Sequence, residues 1–162
     1  ISAASRDADI TIAYKDGLQQ VLLNGENVTG LLRTEEVGNM ASASSVNKDV
    51  RLKLVELQRA LAERENVVMD GRDIGTYVLP KANVKVYLTA SSACRAKRRY
   101  DELTEKGETC DLAAIEADII ERDKRDMERE FAPLRQAEDA TYVDSSDMTI
   151  DEVITAITDL IH

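Results

Sequence analysis

Apolar and polar residues alternate through residues 8–14 (ADITIAY), and residues 19–23 (QQVLL) read as a second strand after the turn-forming pair Asp16-Gly17. Another such pair, Asn24-Gly25, precedes residues 27–32 (NVTGLL). Both pairs suit the tight turns of hairpins, so residues 8–32 predict a small three-stranded antiparallel unit. The period then changes. Thr34, followed by Glu36 and Val37, opens a short helix, and Asn47 caps a longer one running to residue 63, in which Val50, Leu54, Leu57 and Leu61 recur at helical spacing. Beyond it lie short apolar runs without polar alternation: residues 67–70 (VVMD), 84–90 (VKVYLTA) and 141–146 (TYVDSS). Such runs predict strands covered on both faces. Between and after them, residues 93–106, 111–130 and 150–160 predict helices, the second capped at Cys110 or Asp111. Strands alternating with helices predict an α/β core with a parallel sheet, and the small β unit reads as an insert beside it.

Composition narrows the function. The 162 residues fit one domain, or one domain with an insert, and suffice for a core. No apolar run approaches the roughly 18 residues of a spanning helix, which predicts a soluble, cytoplasmic protein. The two cysteines, Cys94 and Cys110, and the one histidine, His162, offer neither a disulfide framework nor a zinc site. A formal net charge of -10 argues against nucleic acid as a partner. The basic residues are nevertheless clustered, with Arg95, Lys97, Arg98 and Arg99 in one group and Arg122, Lys124, Arg125 and Arg129 in another. Clustered guanidinium forks in an acidic chain suit a small phosphate-bearing ligand, and suit two salt-bridged helix faces equally well.

Three segments carry candidate chemistry. Gly71-Arg72-Asp73 follows the VVMD run, at the strand end where open α/β sheets bind ligands; Arg72 can hold a phosphate and Asp73 can accept from amino or hydroxyl groups. In residues 111–130 the apolar stripe Leu112, Ile115, Ile119 continues into Arg122, Asp126 and Arg129, with Arg125 on its flank. Those charges must pair with one another along the helix or converge on a ligand. Arg95, Arg98 and Arg99 share a third face, after a turn in which Ser91 or Ser92 can cap the helix. Phosphoryl transfer relies on positioning and charge neutralisation, which arginine supplies without a catalytic histidine.

Taken in order, residues 67–99 (VVMDGRDIGTYVLPKANVKVYLTASSACRAKRR) and 121–146 (ERDKRDMEREFAPLRQAEDATYVDSS) closely resemble the pattern of bacterial-type cytidylate kinases. Residues 31–42 (LLRTEEVGNMAS) are similar to that family's CMP-binding insert. The resemblance implies an α/β, P-loop nucleoside monophosphate kinase-like core with a small antiparallel β plus helix insert over residues 1–64, a core over 65–162 and a helical lid near 92–121. It implies that Ser42, Arg51 and Asp73 read the cytosine base, that Arg122 and Asp126 meet the ribose, and that Arg72 and Arg129 hold the CMP phosphate. Arg95, Arg98 and Arg99 would close over the phosphates of ATP, the donor, and with Arg72 and Arg129 form the catalytic set. Magnesium would bridge the donor phosphates, with no protein ligand assigned to it. The implied partners are CMP or dCMP and ATP, with no nucleic acid, no membrane and a monomeric whole enzyme.

The chain departs from that family at its beginning. No G-x-x-x-x-G-K-[ST] loop occurs among the 162 residues. The family layout places such a loop after the first core strand, so the expectation is on the order of 60 further residues upstream in the parent protein. In the family's strand order, 2-3-1-4-5, that first strand lies between the VVMD and VKVYLTA strands. The 162 residues alone would then leave two apolar strands without their shared neighbour, a gap of roughly 5 Å that invites strand exchange or pairing with another chain. A non-catalytic nucleotide-binding module that keeps the monophosphate pocket is the alternative, and an RNA-binding reading is opposed by charge and by the scarcity of aromatic residues.

Overall fold

The computed structural model describes residues 5, 7–32, 34–44 and 47–161, without the side chains of residues 35, 39, 42 and 43. His162 lies outside the described residues. The chain divides into two compact units, Ile1–Val67 and Val68–His162.

In the first unit β1 (Ile10–Lys15), β2 (Leu18–Leu23) and β3 (Glu26–Asn27) form an antiparallel sheet in that order. Both turns have two successive left-handed residues, Asp16 and Gly17 at φ 54° and 77°, Asn24 and Gly25 at φ 51° and 82°. That backbone matches the twist of the flanking strands, which is why Asp-Gly and Asn-Gly stand there. The third strand is shorter than residues 27–32 suggest. After one more backbone bond, Val28 N–H to the Val21 carbonyl at 2.9 Å, Val21 N–H donates to the Thr29 hydroxyl at 2.8 Å. A side chain thus takes the place of a backbone acceptor, and Thr29–Leu31 turns into a 3₁₀ helix.

Helices α1 (Glu35–Ser44) and α2 (Lys48–Arg64) follow. The Asn47 side chain accepts from Asp49 N–H at 3.0 Å and Val50 N–H at 3.2 Å, a cap that stabilises the helix start by about 1 kcal/mol. Val55 is the buried residue of α2, and half-buried positions lie both on the expected line, at Val50, Leu57 and Leu61, and on the next, at Arg51, Gln58 and Ala62, whereas Leu54 is exposed. The inward face is thus wider than the expected stripe and takes in Arg51 as well.

In the second unit β4 (Val86–Thr89) and β5 (Thr141–Asp144) are parallel, with Val86 opposite Thr141 and Thr89 opposite Asp144. Helices α3 (Ser92–Glu105) and α4 (Leu112–Glu128) pack against each other, and α5 (Ile150–Thr158) follows β5. Each begins at a capping side chain: Ser91 accepts from Cys94 N–H, Asp111 from Ala114 N–H, and Thr149 with Glu152 closes a reciprocal capping box. The strand expected over residues 67–70 is not formed. A strand exists through its ladder, and among the described residues β4 bonds only to β5, while Val68 is 96% exposed. Residues 71–73 bend instead into a single π-helical turn, Ile74–Val78. Buried in this unit are Val78, Ala90 and Ala96, together with the polar Ser145, which donates to the Thr89 carbonyl at 3.0 Å. The core therefore sits at the carboxyl ends of β4 and β5.

Candidate active site

The turn at residues 71–73 and the end of α4 meet through two ion pairs. Arg72 Nε contacts Asp126 Oδ2, and Arg129 contacts Asp73 Oδ2 at 3.8 Å. Adjacent residues of opposite charge on the turn thus face residues of opposite charge one helical turn apart on α4. All four side chains are at most about a third exposed, so the set is half-buried and neutral overall. The chain just past α4 is folded back on it: Arg129 Nε donates to the Ala132 carbonyl at 2.5 Å, and Leu134 N–H donates to the Asp126 carbonyl at 2.8 Å. Ala132 takes φ 49°, a conformation that a side chain disfavours, and the Arg129 bond holds it there. Tyr77 packs edge-to-face on Phe131, with ring centroids 5.0 Å apart. Turn, helix end and return segment form one clamp. Chemically, it presents two guanidinium groups that can re-pair with an incoming anion, and two carboxylates that accept from amino and hydroxyl groups.

The charged stripe of α4 does not pair along its own helix, one of the two options left by the sequence. Asp126 and Arg129 reach the 72–73 turn instead. Arg122 is exposed and borders an open groove with Arg99, Leu103, Ile115, Asp118 and Ile119, so the apolar stripe does continue into it. Arg125 is exposed, 3.8 Å from Glu121.

The three arginines of α3 part company. Arg95 donates to the Ala90 carbonyl at 3.0 Å and to Asp123 at 2.5 Å. The Asp123 hydrogen bond keeps its guanidinium charged even more firmly than usual. Arg98 donates to the Ser145 carbonyl at 2.6 Å, tying α3 to the segment after β5. Arg99 pairs with Glu102 at 2.9 Å on the surface and borders the groove with Arg122. Of the remaining expected residues, Ser42 lies on α1 with its side chain outside the described residues, and Arg51 is half-buried on α2; both belong to the first unit.

Sequence reasoning passed over Lys85, Asp123 and Asp139. The Lys85 ammonium bonds both oxygens of Asp139, at 2.6 and 2.8 Å, and this holds the Asp139 carboxyl below its ordinary value. A lone lysine in the apolar VKVYLTA run was the available signal. Among the described residues no group of three or more His, Cys, Asp or Glu is placed to hold a metal ion, and no helix is long and apolar enough to cross a membrane.

Comparison with known proteins bears directly on this geometry. The family model "Cytidylate kinase" matches residues 2–162. A protein of Caldicellulosiruptor saccharolyticus named cytidylate kinase is 49% identical over 156 residues, covering 96% of this chain and 69% of its own length. The cytidylate kinase of Lactobacillus gasseri is 49% identical over 154 residues, 94% of this chain and 67% of that protein. That of Bacillus subtilis is 46% identical over 151 residues, 93% of this chain and 67% of that protein. With a family match over nearly every residue and close relatives spanning both units, the chain belongs to the cytidylate kinase family.

Proposed function

We propose that Arg72, Asp73, Asp126 and Arg129 form the acceptor side of a kinase that moves the γ-phosphoryl of ATP onto CMP or dCMP, giving ADP and CDP or dCDP. The observation that carries this reading is the meeting of all four in one neutral, half-buried clamp at the end of α4. A monophosphate is an anion with hydroxyls and, in cytosine, an exocyclic amino donor. Its phosphate recruits the Arg72 and Arg129 forks, which frees Asp126 to accept from the ribose and Asp73 from the amino group. Substrate therefore replaces the internal pairs, and each of the four side chains keeps a hydrogen-bonding partner as the site fills.

In this reading residues 1–64 form the monophosphate-binding insert, contributing Ser42 and Arg51 to the base, and residues 65–162 belong to the core, with a lid near 92–121. Arg122 joins Asp126 at the ribose. Arg99 is the lid arginine most ready to meet donor phosphates, since its present partner is a surface glutamate. Arg95 and Arg98 must exchange partly buried partners to do so. Magnesium belongs on the phosphates of ATP, where it would neutralise charge.

The test is calorimetric binding of CMP and UMP by the protein expressed from its whole reading frame. Binding of CMP in preference to UMP, weakened at least tenfold by Arg72→Ala, is the expected result. Equal affinity for the two nucleotides, or an Arg72→Ala variant that binds as wild type, would remove the assignment.

A further inference from the structure

We propose that Lys85 is a positioning residue for the acceptor site, holding the π-turn that sets Arg72 and Asp73. The inference rests on the acceptor reading above. The turn starts directly after Asp73, whose carbonyl accepts from both Tyr77 N–H at 2.8 Å and Val78 N–H at 3.1 Å. Leu79 N–H then donates to the Ile74 carbonyl at 2.7 Å. A lone turn of this width propagates into no helix and is held from outside.

On one side the support is Phe131 against Tyr77. On the other it is the stem of Lys85: a Cβ placed on Gly75 would lie 3.5 Å from Lys85 Cδ and 3.9 Å from Ala137 Cβ. The ammonium continues past the turn, donating to the Pro80 carbonyl at 2.5 Å as well as to Asp139. Its base is equally fixed, because the Lys85 carbonyl accepts from Thr141 N–H at 2.9 Å where β4 and β5 join. The side chain is only 6% exposed. Lysine is seldom buried and costs stability unless its charge is met, so one buried beside a functional turn with every proton placed points to a specific task. That task is to join the Gly75–Pro80 end of the turn to the loop before β5. With the ammonium removed, the far end of the turn is free to shift, and Asp73 and Arg72 shift with it. Small misplacements at a reacting centre are enough to lower catalysis.

The test compares Lys85→Met, which keeps most of the stem and deletes the charge, with Asp139→Asn, an isosteric change at an exposed position. In Lys85→Met the expected results are a KM for CMP raised about tenfold, a CMP-over-UMP preference reduced about fivefold, and a KM for ATP changed by less than about twofold. Amide exchange at Tyr77 and Val78 should quicken about tenfold. Asp139→Asn should move the same quantities in the same direction, by about threefold. A folded Lys85→Met protein that melts earlier but keeps wild-type KM for CMP, base preference and exchange would overturn the proposal. If Lys85→Met does not fold, an Asp139→Asn protein with unchanged KM for CMP overturns it. Failure of wild type to bind CMP would instead sink the acceptor reading, and the exchange rates at Tyr77 and Val78 would still judge the clamp.

Discussion

Replacing Asp126 by asparagine separates the two roles given to that carboxylate. The substitution keeps the shape of the side chain and removes its charge, leaving Arg72 opposite a neutral amide. A contact ion pair is worth about 4 kcal/mol at an effective dielectric near 20 and about 1 kcal/mol in bulk water. With the Arg72 and Asp126 side chains 34% and 20% exposed, the pair lies between these limits, and its own desolvation offsets part of the gain. The loss expected is about 1–2 kcal/mol, or a fall in Tm of about 3–6 °C for a chain of this size. The four-residue clamp also passes from neutral to a net positive charge, so inorganic phosphate should bind about three- to tenfold more tightly. CMP should bind more weakly, by about tenfold, if Asp126 accepts from the ribose. Thermal melting by circular dichroism and calorimetry with phosphate and with CMP read all three. A Tm within 1 °C of wild type, or phosphate and CMP affinities that move in the same direction, would refute this account of the clamp.

Other substitutions test neighbouring parts. Asp73→Ala should narrow the CMP-over-UMP ratio of kcat/KM by about tenfold, because uracil presents a carbonyl where cytosine presents an amino group; an unchanged ratio would take Asp73 away from the base. Arg129→Lys keeps the charge and loses the fork, so kcat/KM should fall about a hundredfold with base preference intact, and a change mainly in selectivity would contradict a phosphate role. At α5, Thr149→Ala should cost about 1 kcal/mol in denaturant unfolding by breaking the capping box. The hydrogen bonds of that box, from Thr149 N–H and then its hydroxyl, lower the pKa of Glu152 from its ordinary 4.5. Its contribution is therefore complete above about pH 4.5 and is lost as pH falls through the lowered value; since Thr149→Ala removes only the hydroxyl's share of it, the stability gap between wild type and variant should narrow in acid.

Local chemistry was legible in the sequence wherever it acts over a few residues. The Asp16-Gly17 and Asn24-Gly25 turns and the Asn47 cap are where residue type and spacing place them, and Ser91 and Asp111 are each one of the two caps that the sequence offers at their helix. Legibility fails where the deciding partner is distant. Residues 67–70 have strand composition, yet among the described residues none builds a ladder with them, and composition does not report whether a ladder partner lies alongside. Arg95 pairs with a residue 28 positions away and Lys85 with one 54 positions away, distances over which no periodicity speaks. Arg95, Arg98 and Arg99 share a face by spacing, but side chains of that length reach opposite flanks of α3: Asp123 on one, Ser145 on another. The meeting of Arg72 and Asp73 with Asp126 and Arg129 came from a family pattern in the sequence, and the backbone supplies its cause, a turn and a helix end folded face to face.

The central claim is that the clamp at residues 72–73 and 126–129 receives a cytidine monophosphate that becomes phosphorylated. Phosphorus NMR of the protein from its whole reading frame, incubated with ATP, magnesium and equal amounts of CMP and UMP, measures this directly. The account predicts CDP and ADP appearing in equal amounts, UDP forming at least tenfold more slowly, and that margin shrinking in Asp73→Ala. Faster phosphorylation of UMP than of CMP, or ATP hydrolysed to ADP and free phosphate with no CDP formed, would contradict it.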